Sequence, residues 1–242
     1  SHQRMKASCV AALGAGPFHG AGGPLHVTEI SGAATTLPRD FIKAGQETGI
    51  SFTPDLNGAS IEGVGFYQIN TRGGLRLSAA RAYLWPAESR TNLRIETGAL
   101  ATRILFEGKR AIGVAYQQRG QSCEARAAAE VILCGGSINS PQLLQLSGVG
   151  PGALLKSHGI EVRHENAAVG QNLQDHLCHD YVYRCRVPSR NDQLNNWPGR
   201  LRAALRYLLT RGGPLALSVN QGGGFFRTSA DLARPNMQLY FC

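Results

Sequence analysis

A short apolar run followed by two glycines restricts the possible folds of this chain more than any other feature. Residues 131–134 are apolar throughout, as in a strand that a parallel sheet covers on both faces. Gly135 and Gly136 permit a sharp turn. The residues after them predict a helix that is capped by Ser140 and has Pro141 at its first position. Because such a helix presents unpaired N–H groups at its N-terminus, the segment predicts a site for a dinucleotide diphosphate.

The same segment resembles the second sequence motif of the glucose-methanol-choline (GMC) family of flavin oxidoreductases. The residues in register are Gly136, Ser137, Asn139, Ser140, Pro141, Leu143, Leu144 and residues 147–151. The resemblance continues at residues 19–25, 55–58, 62–65, 81–84, 92–93 and 169–176. An ordinary strand–turn–helix in another α/β protein is the alternative interpretation.

The resemblance implies an α/β (α+β) fold that contains parts of two domains. Residues 76–176 are expected to form part of an FAD-binding Rossmann-like domain with an inserted β-meander. Residues 23–75 and 177–242 are expected to form part of a mainly antiparallel substrate-binding domain. Residues 1–22 are assigned to neither domain and remain unplaced, as a loop.

Local patterns predict the elements within these parts. Apolar residues on one side predict a helix over residues 37–49. Alternation predicts a strand over residues 63–71, followed by a turn at Gly73 and Gly74. Three strands joined by glycine-containing turns form the meander, at residues 101–106, 111–118 and 123–134.

A further helix is predicted near the end of the chain, where apolar residues recur at helical spacing among arginines. The apolar residues are Leu201, Ala204, Leu205, Leu208 and Leu209, and the arginines are Arg200, Arg202, Arg206 and Arg211. Such a helix either packs on a sheet, which is the interpretation we prefer, or lies on a membrane surface.

Two parts of the GMC pattern have no match in this sequence. Members of the family bind the ADP part of FAD with a strand, a G-x-G-x-x-G turn and a helix. The nearest pattern, residues 14–20, has His19 at the third glycine position, and Pro17 disfavours a following helix. The segment that carries the family's catalytic histidine is also unmatched. The resemblance therefore implies an internal piece of a longer enzyme, inactive by itself.

The resemblance assigns cofactor contacts to three positions. Ala101 matches the position whose backbone contacts the FAD adenine, and Gly135 and Gly136 match the glycines beside the diphosphate. The alternative for each is plain strand-end or turn geometry. Asn172, Asp175 and His176 are interpreted as a crossover between domains rather than as catalytic residues. No catalytic residue and no metal ligand are therefore assigned.

The function implied by the resemblance is FAD-dependent oxidation of the CH–OH group of a small alcohol, similar to that of choline dehydrogenases. The electron acceptor and the oligomeric state stay open. A non-catalytic, flavoprotein-like interaction module is the alternative function. The upstream and downstream coding sequence would discriminate between the two.

Composition and charge limit which partners and which cellular compartment we expect for this chain. The net charge is +9, but the basic residues are dispersed, so no nucleic-acid partner is expected. No apolar run approaches the roughly 20 residues of a transmembrane helix. The six cysteines form no disulfide framework, which favours a cytoplasmic or membrane-associated protein over a secreted one.

Overall fold

The computed structural model describes residues 8–10 and 14–242. Two compact units are present: the first comprises Ser1–Leu93 and Tyr183–Cys242, and the second comprises Arg94–Val182. The division lies at residues 93/94 and 182/183, whereas the resemblance implies boundaries at 75/76 and 176/177. Of the unplaced residues 1–22, residues 1–7 and 11–13 lie outside the described part. Residues 14–20 form no helix, in agreement with their interpretation as a loop.

The first unit contains short strands and helices from both ends of the chain. They are β1 (Ser8–Val10), β2 (Leu25–Val27), α1 (Thr36–Glu47), β3 (Gly63–Phe66), β4 (Thr71–Arg72), β5 (Leu75–Arg76), a π-helical turn (Ala80–Leu84) and a 3-10 turn (Trp85–Ala87). After the second unit the chain returns with α4 (Arg190–Leu194), α5 (Trp197–Thr210), a 3-10 turn (Pro214–Ala216), β11 (Gly222–Phe226) and β12 (Met237–Phe241).

A three-stranded antiparallel sheet joins the two chain segments of this unit. Its order is β12–β11–β3, and Gly224 of β11 lies opposite both Val64 of β3 and Leu239 of β12. Helix α1 packs against β3 and β11. Val64 is only 1% exposed at this junction. A Cβ atom on Gly45 or on Gly224 would lie 2.9 Å from Val64 Cγ1, so glycine at both positions permits the close packing of α1 on the sheet.

The second unit is built on the β-meander. Its elements are β6 (Ala99–Glu107), β7 (Arg110–Gln118), β8 (Gln121–Arg126), α2 (Gly136–Leu146), β9 (Val149–Gly150), α3 (Gly152–Ser157) and β10 (His164–Glu165). The antiparallel order is β6–β7–β8, and β9 and β10 pair in parallel. The buried residues Ile104, Ser147 and Leu155 mark a small core. The chain thus combines helices with mainly antiparallel sheets, as an α+β fold does.

The structure corrects the strand predicted at residues 131–134. These residues adopt no strand, and the third meander strand ends at Arg126. Ile132 is 73% exposed and Cys134 is also exposed. A strand is stable only when its N–H and C=O groups are paired. Among the described residues no strand lies beside this segment, so the apolar run remains unpaired.

The other predicted elements are confirmed in type but shifted in their bounds. Helix α1 agrees with the prediction for residues 37–49. The strand predicted at 63–71 ends at Phe66, and Gly73 and Gly74 form the turn between β4 and β5 with positive φ angles. Helix α5 does form, but it packs mainly against α4 and the turn at Pro214–Ala216. Our preference for packing on a sheet was therefore wrong.

Candidate cofactor site

The glycine turn at the start of α2 has a backbone geometry that requires glycine. Gly136 has a φ of +82°, which side chains of L-residues rarely tolerate, and it is solvent-exposed. Gly135 has a φ of −79°, but a Cβ atom there would lie 3.2 Å from the Cβ of Asn139. The backbone N–H of Gly135 donates to Ser140 Oγ at 3.0 Å. Contacts within residues 135–140 therefore determine the conformation of this turn.

Helix α2 begins at Gly136, five residues earlier than predicted, and this changes the role of two side chains. Ser140 lies inside the helix instead of capping it, and Pro141 is also internal. The helix has no side-chain cap and no acidic residue in its first turn. Its first N–H groups therefore remain available to an anion at the positive end of the helix dipole.

Ala101 lies in β6, which is an edge strand of the meander among the described residues. It is exposed and is paired with Tyr116 of β7. The register shifts between Ala101 and Arg103, where Thr102 Oγ1 donates to the carbonyl of Ala115 at 3.1 Å. A bulge on an edge strand leaves backbone groups free to contact a ligand.

Ser147 fixes the C-terminal end of α2 to β6. Its Oγ accepts the N–H of Ile104 at 2.8 Å and donates to the carbonyl of Leu143 at 2.5 Å.

The three predicted cofactor residues belong to one unit but not to one cluster. Gly135 and Gly136 are adjacent, whereas β6 is joined to α2 at its far end. A helix of 11 residues is about 16 Å long, so the glycine turn and the junction with β6 lie at opposite ends of α2.

The polar trio near the end of the second unit shows no catalytic geometry. Asn172, Asp175 and His176 are exposed, and Asn172 has a positive φ of 58°. Asp175 only accepts the backbone N–H of His176. In the described part of the chain, no group of His, Cys, Asp and Glu residues is placed to hold a metal ion.

One partly buried polar cluster was not found by sequence reasoning. His19 Nε2 lies 2.6 Å from Asp55 Oδ2, and Oδ1 of the same carboxylate accepts hydrogen bonds from Asn57 N–H and Gln68 Nε2. Burial acts to raise the pKa of Asp55, but these hydrogen bonds outweigh it, so this pKa lies below its ordinary value. His19 and Asp55 are 36 residues apart, and no sequence pattern signalled their pairing.

With this geometry established, comparison with known proteins identifies the family. The model of the family described as GMC oxidoreductase matches residues 2–178. The chain belongs to the GMC oxidoreductase family. It is 43% identical to an alcohol dehydrogenase [acceptor] of Pseudomonas putida, over 93% of this chain and 41% of that protein. It is likewise 43% identical to an oxygen-dependent choline dehydrogenase of Chromohalobacter salexigens, over 95% of this chain and 41% of that protein. The chain thus spans about two-fifths of the length of these relatives.

Two solved structures have a fold similar to that of this chain. An FAD-dependent oxidoreductase of Chaetomium thermophilum aligns with a TM-score of 0.78 at 27% identity, over 92% of this chain and 41% of that one. A formate oxidase of Aspergillus oryzae aligns with a TM-score of 0.79 at 23% identity, over 97% of this chain and 46% of that one. The second likeness concerns the fold alone. FAD is the cofactor that the family and the flavin-dependent neighbour indicate.

The exposed glycine turn fits the diphosphate of such a cofactor. Nothing lies within 4 Å of a Cβ atom built on Gly136, so a ligand could approach the backbone there.

Proposed function

We propose that this chain is part of an FAD-dependent oxidoreductase that oxidises the CH–OH group of an alcohol. The observation that carries the proposal is the uncapped helix α2, which begins at an exposed glycine turn in a chain of the GMC family. Choline, itself a primary alcohol, is the substrate we propose, since several relatives are named choline dehydrogenases. A nonionic primary alcohol is the comparison substrate, because another relative is named alcohol dehydrogenase.

In this proposal the second unit holds two separate parts of the cofactor. The first N–H groups of α2, next to Gly135 and Gly136, bind the diphosphate, and the backbone at Ala101 contacts the adenine. When bound, FAD supplies the acceptor for the hydride of the alcohol carbon. The role of these residues is to bind and orient the cofactor, because backbone contacts at fixed elements limit its freedom.

We further propose that the 242-residue chain binds FAD weakly and does not oxidise alcohols by itself. The contacts assigned here are backbone contacts at only two places. No described residue is assigned as the proton acceptor, and a positioned acid–base group typically contributes about 10²–10⁴ in rate. The corresponding test is to add FAD, choline and an artificial electron acceptor to the purified chain, where turnover would contradict this expectation.

The diphosphate site is tested with a matched pair of glycine variants. Gly136→Ala and Gly159→Ala both place alanine at a positive φ, +82° and +70°, with nothing within 4 Å of the new Cβ. Both variants therefore carry a similar backbone strain of about 1–2 kcal/mol. Only Gly136→Ala alters the proposed site, so we expect it to weaken FAD binding about tenfold, the equivalent of one charged hydrogen bond.

Flavin fluorescence anisotropy measures the dissociation constant for both variants, and circular dichroism checks their folding. Equal affinities for Gly136→Ala and Gly159→Ala would contradict the diphosphate assignment. Absence of a G-x-G-x-x-G unit and of a histidine-bearing segment from the flanking coding sequence would instead support the non-catalytic interaction module.

A further inference from the structure

Helix α5 exposes the apolar face that an amphipathic helix normally buries. Its five large apolar residues on this face are between 42% and 82% exposed: Trp197, Leu201, Leu205, Leu208 and Leu209. At 100° per residue they fall within an arc of about 120°. We call these five residues the outer face of α5. A contiguous apolar stripe of this kind marks an interaction surface.

The opposite face of α5 attaches the helix to the first unit. Ala203 is buried, and Tyr207 donates a hydrogen bond from its hydroxyl to the carbonyl of Gly74 at 3.1 Å. Asn196 caps the N-terminus by accepting the N–H of Gly199 at 2.8 Å. The outer face therefore belongs to a helix whose N-terminus is capped and whose opposite face is attached to the rest of the first unit.

Arginines border the outer face on both sides. Arg202 and Arg206 follow one edge, and Arg200 and Arg211 follow the other. All four residues are exposed, and none forms an ion pair in the described part of the chain. Residues 193–230 contain no aspartate or glutamate at all. This surface therefore combines an apolar centre with uncompensated positive edges.

We propose that the outer face of α5 docks on an anionic lipid bilayer, with the helix lying in the interfacial plane. Leucines and a tryptophan enter the boundary between headgroups and acyl chains, while the arginines reach the lipid phosphates. Charge complementarity selects this occupant. A second copy of the chain that docked through the same face would bring arginine edges together, and residues 193–230 contain no carboxylate to pair them. Among the described residues no helix is long and apolar enough to cross a membrane.

Trp197 makes the docking directly observable. The chain has only two tryptophans, so Trp85→Phe leaves Trp197 as the sole reporter. The test mixes this variant with phosphatidylcholine vesicles, with or without phosphatidylglycerol. With the anionic lipid we expect a blue shift of the emission, quenching by brominated acyl chains and co-sedimentation. In about 1 M salt the binding should fall, since the Debye length shortens to about 3 Å.

Substitutions separate the apolar and the charged contributions. Leu208→Glu should lower the partition coefficient at least about tenfold. The matched control is Ile61→Glu. It alters another exposed apolar residue of the same unit, 41% exposed and not part of α5, and should leave binding unchanged. Arg202→Gln and Arg206→Gln should each lower binding to anionic vesicles about fivefold. Circular dichroism establishes that each variant is folded.

Several results would overturn the proposal. These are absence of binding to anionic vesicles, equal binding to neutral vesicles, or equal losses for Leu208→Glu and Ile61→Glu. Analytical ultracentrifugation addresses the other occupant: a dimer that Leu208→Glu dissociates would assign the outer face to a second copy of the chain.

Discussion

Replacing Ser147 with alanine should destabilise the second unit by about 2–3 kcal/mol. The hydroxyl of Ser147 is the acceptor for the N–H of Ile104, and Ser147 is only 2% exposed. Its removal leaves a buried N–H without a partner, which typically costs about 1–3 kcal/mol in the free energy of unfolding. The substitution also removes the hydrogen bond to the carbonyl of Leu143, at the end of α2. The variant therefore lacks the side-chain hydrogen bond that connects α2 to β6.

The control is the same substitution in a solvent-exposed place of the same unit. Ser157 Oγ donates to the carbonyl of Leu154 at 2.8 Å, and this residue is exposed. Water replaces such a bond, so Ser157→Ala should change the free energy of unfolding by less than about 0.5 kcal/mol. The comparison therefore isolates burial, since both variants lose one hydroxyl.

The assay has to report on the second unit. Tryptophan fluorescence does not report on this unit, because Trp85 and Trp197 both belong to the first unit. Amide hydrogen exchange followed by mass spectrometry of β6 peptides does, and it yields the opening free energy at Ile104. We expect faster exchange in Ser147→Ala and no change in Ser157→Ala. Equal exchange in the two variants would refute the assignment of Ser147 as a buried connection between α2 and β6.

Two further predictions concern the first unit. Because hydrogen bonds hold the folded-state pKa of Asp55 below its unfolded value, this carboxylate should stabilise the fold above about pH 4 and lose that contribution as the pH falls through the folded-state pKa. Urea midpoints followed by tryptophan fluorescence should thus decline less steeply at acid pH in Asp55→Asn than in the parent; parallel pH profiles would contradict this role of the carboxylate beside His19. Gly224→Ala should destabilise by about 1–3 kcal/mol, because its Cβ would lie 2.5 Å from the carbonyl of Gly63 in the neighbouring strand. Gly32→Ala, with open space around the new atom, is the control, and similar urea midpoints for the two variants would contradict the close packing.

Local sequence signals predicted the elements that depend on neighbouring residues. The turns at Gly108 and Gly120 have positive φ angles and connect the meander strands as expected. Helix α1 also follows from a local pattern of apolar residues and ends near Gly49, as predicted. In each case the residues that determine the element lie within the element or directly next to it.

Features that depend on distant partners were not predictable in this way. The pair of His19 and Asp55 joins two loops 36 residues apart, and neither residue carries a local signal for the other. The orientation of α5, with its apolar face toward solvent, was not predictable either, because it depends on contacts with distant residues. Its pattern predicted an amphipathic helix, but amphipathicity does not specify what the apolar face contacts. Only the contacts of Ala203 and Tyr207 decide which side faces the protein.

The segment around the glycine turn combines both cases within a few residues. Its helix forms, although five residues earlier than predicted, whereas its predicted strand does not. The turn needs only its own atoms: glycine at a positive φ at Gly136, and a hydrogen bond from Gly135 to Ser140. The preceding residues 131–134 need a neighbouring strand, because an unpaired strand gains neither backbone hydrogen bonds nor buried area. The anion site that we propose at the backbone N–H groups of α2 therefore does not depend on the adjoining strand. The diphosphate contact can thus be probed in this chain separately from the sheet that the apolar run was expected to join.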